Sequence, residues 1–229
     1  MAAGNFTLYD AFKFNLASKA IDLASDNFRM ILLTSSYTPQ VPTDSEYSNV
    51  SADETTGTGY TTGGVALGSL SLYYTADTTT LPAIVAGGTG YAASSTFNVT
   101  VSGGTSTTAA VVSVTTNASG VVTTVNSVVT RGNYSVLPTN PVATTGGTGT
   151  GLTLTMTWDV AWSTGAGTWT SSTITAKYAV VVHTAAVGAP VSTDLLCGYV
   201  DLDTGGGSVS STNASFTVTP NAVGLFTMQ

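Results

Sequence analysis

Residues 96–104 read TFNVTVSGG and residues 109–129 read AAVVSVTTNASGVVTTVNSVV. Valine alternates with threonine or serine in both runs and glycine interrupts them, the period-two pattern of half-buried strands joined by tight turns. From Thr78 to Trp158 the only charged side chain is Arg131. The stretch also repeats itself: Tyr91, Val99, Gly103, Gly104 and Thr105 have counterparts 43 positions later at Tyr134, Val142, Gly146, Gly147 and Thr148. Each unit reads as turn, tyrosine, short strand, Gly-Gly-Thr turn and short strand, and Asn117 to Gly120 adds a further turn between valine-rich strands. One such unit buries too little to stand alone, so the two are expected to share a core.

Glycine-rich text raises a second possibility. The chain reads GTGY at 57–60, GGTGY at 87–91 and GGTGTG at 146–151. A loop that cradles phosphate opens a helix, whose N–H groups and dipole converge on the anion. Strand-like text follows each of these stretches instead, so their glycines are expected to turn the chain between strands.

Outward from the repeat the text changes character. TLYDAFKFNLASKAIDL, Thr7 to Leu23, places Leu8, Phe12 and Leu16 four apart, and Thr7 with Asp10 has capping-box spacing, which predicts one helix docked by an apolar stripe. FRMILLTSSY carries a short apolar run, Met30 to Leu33, and reads as a strand. TLTMTWDVAW, GTWTSSTITAKYAVVVHT, LLCGYVDLD, SFTVTP and VGLFTM add strands at the spacing of a sandwich or barrel. The expected fold is all-β: a sandwich-like antiparallel body with one N-terminal helix and an inserted β repeat module. Residues 1–80 and 158–229 would form the body, and 81–157 the insertion.

Composition narrows the function classes. The 229 residues suffice for one large β domain or two smaller ones. Only 7% are charged, against about a quarter in ordinary domains. The net charge of −7 gives a phosphate backbone nothing to bind, and the five bases, Lys13, Lys19, Arg29, Arg131 and Lys177, form no stripe, so neither nucleic acid nor an anionic membrane is an expected partner. Cys197 is alone, which rules out an intrachain disulfide and cysteine-based zinc sites. The opening MAAGNFTLYDAFKF has no basic leader before an apolar core, and no run reaches spanning length, so synthesis in a cytoplasm is expected. On that expectation the Asn-X-Ser/Thr triplets at Asn5, Asn49, Asn98, Asn117, Asn133 and Asn213 are chance products of a Ser/Thr-rich chain.

Candidate chemistry is sparse. Asp44, Glu46, Asp53 and Glu54 share one loop and invite a calcium hypothesis, but the Asp-x-Asp-x-Asp-Gly frame is missing and a solvated acidic loop is the expectation. His183, the sole histidine, sits in AVVVHT with nothing nearby in sequence to orient it, which reads as an edge or interface residue. Asp201 and Asp203 lie two apart and imitate a glycosidase pair; a solvated strand end is expected. Cys197 reads as a small core residue, and Trp158, Trp162 and Trp169 as core rather than a sugar platform. G-x-S-x-G, H-E-x-x-H and G-K-S/T do not occur. No catalytic, cofactor-binding or metal-ligating residue is therefore assigned, and no cofactor is expected.

FRMILLTSSYTPQVPTDSEYSNVSADETTGTGYTTGGVAL, then STITAKYAVVVHT, LLCGYVDLD and SFTVTPNAVGLFTM, resemble a family of small tailed-bacteriophage virion proteins encoded near capsid and tail genes. Family members share a strand ending in Leu-Leu-x-Ser-x-Tyr, a Val-Ser-Ala-x-Glu loop, a Gly-x-Gly-Tyr-Thr-x-Gly-Gly turn, an Ala-x-Tyr-Ala-Val strand and a Gly-Tyr-x-Asp strand. The likeness covers roughly Asp26 to Leu72 and Thr168 to Phe226, while Thr80 to Met156 departs from it and looks like a β module of phage appendage proteins. The resemblance implies a non-enzymatic structural protein of the virion, with head decoration or cement as its role and the major capsid protein or other virion proteins as partners. A homo-oligomer is expected, as a trimer, because unpaired strand edges are a liability that symmetric interfaces remove. Two rival readings remain: a tail or fibre component binding a host receptor, and a carbohydrate-binding module using the tryptophans.

Overall fold

The computed structural model describes residues 3–228. Antiparallel strands dominate, and Asp10–Ala17 is the single α-helix among the described residues. Two compact units form: one from the residues up to Ser71 with Ser163–Leu225, the other from Leu72–Trp162 with the chain from Phe226 onward. The second unit is thus wider than the expected 81–157. Strands Ser71–Ala76, Trp158–Ser163 and Phe226–Met228 belong to one sheet with Asn133–Val136 and Thr105–Thr108. Composition marks where charge disappears, whereas the unit's limits follow long-range pairing such as Trp162 with Phe226.

In the first unit a five-stranded sheet runs in the order Thr7–Leu8, Leu195–Asp201, Tyr178–Thr184, Asn27–Leu33 and Val65–Leu67. Its middle strands are apolar on both faces, and Ile31, Leu32, Leu33, Val180, Val181, Val182 and Leu196 are fully buried. A three-stranded sheet, ordered Val209–Val218, Gly167–Ala176 and Gly57–Thr58, completes the unit. Trp169 and Ile174 alternate on its inner face with the exposed Thr168, Thr170, Thr173 and Thr175 on the outer one.

The helix is shorter than its apolar spacing predicts. Thr7 and Leu8 pair with Tyr199 and Gly198 as a sheet edge, so the capping box cannot form. Tyr9 is the N-cap without a side-chain cap bond, and Asp10 turns to Lys13 at 2.8 Å. At the other end Lys19 adopts φ 62, and Ile21 and Leu23 reach the core from beyond the helix. Phe12 is its one buried residue, while Phe14 is 72% exposed. Backbone pairing to the sheet outweighs the local helical preference of this segment.

The second unit carries the repeat as a pseudo-two-fold. Its six-stranded sheet runs Val122–Thr130, Val111–Thr116, Thr96–Val101, Val142–Thr145, Thr150–Thr155 and Ala83–Thr89. Val101 pairs with Thr144, its own equivalent 43 positions on, and the Ser102 N–H donates to the Ala143 carbonyl at 2.9 Å. The axis therefore passes through the central antiparallel pair, and the strand order reads the same from either side. Ala83–Thr89 flanks Thr150–Thr155 as Val122–Thr130 flanks Val111–Thr116. Tyr91 and Tyr134, and Val99 and Val142, lie in one core, so the two repeats do share it.

The glycines divide into two roles. Gly103–Gly104 and Gly146–Gly147 are the corners expected of them, all four at positive φ. Gly57 and Gly87 instead lie within strands. A Cβ on Gly57 would stand 2.2 Å from the Thr173 carbonyl oxygen, and one on Gly87 2.5 Å from that of Val122. There glycine admits a neighbouring backbone rather than turning the chain. The α-helix precedes every one of these stretches, so none of them opens it.

Candidate functional site

The residues that carry the family resemblance converge on three polar clusters in the first unit. Tyr37, which closes the Leu-Leu-x-Ser-x-Tyr strand, donates its hydroxyl to Asp44 at 2.6 Å and accepts from Tyr9 at 2.6 Å. Asp44 also takes the Gln40 N–H at 2.9 Å. The Tyr37 ring meets Tyr178 of the Ala-x-Tyr-Ala-Val strand edge-on at 5.6 Å, Tyr178 meets Tyr199 of the Gly-Tyr-x-Asp strand at 5.9 Å, and Tyr199 returns to Tyr9 at 5.6 Å. Burial, reinforced at Tyr37 by the bond to Asp44, pushes the Tyr9 and Tyr37 phenols well above their ordinary range.

Glu54, the acid of the Val-Ser-Ala-x-Glu loop, gathers three donors: Tyr47 and Tyr60 hydroxyls at 2.5 Å each and the Gly63 N–H at 2.6 Å. Arg29 closes the same turn from the other side, with Nε on the Gly63 carbonyl and Nη2 on that of Gly64, both at 2.6 Å. Tyr60 stacks on Trp169 at 5.9 Å and accepts the Leu32 N–H at 3.1 Å. Burial and the bonds to Glu54 raise both phenols, Tyr47 and Tyr60. The expectation of a solvated acidic loop is thus overturned. Asp44 is buried, Glu46 caps the short turn Tyr47–Asn49, and Glu54 is saturated by donors.

Lys177 forms the third cluster. It is 7% exposed, pairs with Asp201 at 2.9 Å and donates to the Asp203 carbonyl at 2.5 Å. The Asp203 carboxylate accepts the Gly205 N–H at 3.0 Å, and the Asp203 N–H donates to Asp201 at 2.9 Å. Asp201 and Asp203 are therefore not a solvated strand end, since a buried lysine, remote in sequence, draws them inward.

His183 has an orienting partner that local sequence could not reveal: Asp26, 157 residues earlier, lies 2.9 Å from Nε2. Cys197 on the adjacent strand is fully buried, and burial pushes its thiol up and out of the reactive range. Trp162 and Trp169 are buried and Trp158 packs edge-on to Tyr134 at 5.0 Å, so the three tryptophans lie in or against the core, as expected. Arg131, the lone charge of the repeat, bonds Asp159 and the Ala76 carbonyl. Burial raises the Asp159 carboxyl while Arg131 acts to lower it.

A cavity of about 320 Å³ opens beside Glu54. Apart from Glu54 it is lined by Ser and Thr hydroxyls, among them Thr34, Thr55, Thr173 and Ser208. Among the described residues no group of three or more His, Cys, Asp or Glu side chains is placed to hold a metal ion, and no helix is long and apolar enough to cross a membrane. The fold and these clusters define an all-β protein whose distinctive polar side chains bind one another. No protein-family model, characterised protein or solved structure matches the chain.

Proposed function

We propose that this chain is a non-enzymatic structural protein of a tailed-bacteriophage particle, present in many copies and decorating the head as a cement protein. The observation that carries the reading is the fate of the family-like residues. Tyr37, Glu54, Tyr60, Tyr178, Tyr199 and Asp201 bond or pack against one another and their neighbours, and of these six only Glu54 borders the cavity. Residues used in this way specify a scaffold, and a scaffold acts through its surface. The weakly charged exterior suits contacts with a protein lattice, each burying about 1,000–2,000 Å². Its partners are the major capsid protein or other virion proteins, and copies of itself.

A tail or fibre component is the second reading. It draws on the inserted unit, which has its own core and exposes Val85, Val129 and Val136. Gold-labelled antibody against the protein, imaged on intact particles, separates the two. Label spread over the capsid supports decoration, label confined to the tail supports the second reading, and particles without label overturn both.

A further inference from the structure

We draw no further inference here: the strongest candidate, the cavity of about 320 Å³ beside Glu54, belongs to the cluster already described, its one carboxylate being taken up by Tyr47, Tyr60 and Gly63 and nothing in the structure showing what its Ser and Thr hydroxyls would bind.

Discussion

Glu54 shows how a single side chain organises the first unit. Its two oxygens receive two phenols and one backbone N–H, Tyr47 from before the Gly57–Thr58 strand and Tyr60 and Gly63 from after it. Glutamine has the same shape but turns an NH₂ toward donors. Glu54→Gln is expected to destabilise the protein by about 2–3 kcal/mol, read from urea unfolding, with Tyr47→Phe costing about 1 kcal/mol because it removes one of the three donors. Equal stability of wild type and Glu54→Gln would show the cluster to be incidental. A second carboxylate makes a pH-dependent contribution. Asp77 accepts the Thr79 N–H at 2.6 Å, the Thr79 hydroxyl at 2.7 Å and the Thr80 N–H at 3.1 Å, which lower its pKa from 3.8 to about 2. The folded value is depressed, so its stabilisation is complete above the unfolded value and vanishes as pH falls toward 2. Asp77→Asn is expected to cost about 1–2 kcal/mol at pH 6 and to cost much less at pH 2.5, measured by unfolding at both.

Among the elements, the strands were legible and the contacts between remote ones were not. Valine–threonine alternation announces Thr96–Val101 and Val111–Thr116 because a half-buried strand must alternate. The helix was overdrawn because spacing cannot register that Thr7 and Leu8 are taken up by Leu195–Asp201. Glycine roles were half legible for the same reason: a corner is local, whereas the backbone that presses on Gly57 or Gly87 arrives from far along the chain. Asp26 beside His183 and Lys177 beside Asp201 belong to this remote class too. The pseudo-two-fold allows a controlled comparison of two corners. Gly104 has φ 67 and Gly147 φ 70, so alanine meets equal backbone strain at both, about 1–2 kcal/mol. Their surroundings differ. A Cβ at Gly104 would lie 2.4 Å from the Val136 carbonyl oxygen and 2.8 Å from the Pro138 nitrogen, whereas one at Gly147 meets the Phe97 ring at 2.8 Å. Backbone held in a sheet yields less than a half-buried ring. Gly104→Ala is therefore expected to lower the melting temperature clearly more than Gly147→Ala, and equal losses would contradict the packing of the two corners.

For the whole molecule, connectivity matters more than composition. The first unit is built from two separated lengths of chain, and the second closes with the chain's final strand, Phe226–Met228, seated on Trp158–Ser163. Val160, Ala161 and Trp162 pair there with Met228, Thr227 and Phe226, and the Trp162 and Phe226 rings lie 5.7 Å apart. Nothing in the sequence of VGLFTM reveals which unit it completes. Truncation before Phe226 removes a strand and an aromatic contact from the second unit while leaving the five-stranded sheet of the first with all its members. Trp162, buried in the intact protein, becomes solvated in the truncated one. The expected result is a red-shifted tryptophan emission and faster amide exchange through Ser71–Ala76 and Trp158–Ser163, with slow exchange retained in Asn27–Leu33 and Tyr178–Thr184. Faster exchange in those two central strands as well would mean that the units fold as one cooperative body, and the C-terminal strand would then be a clasp for the entire chain.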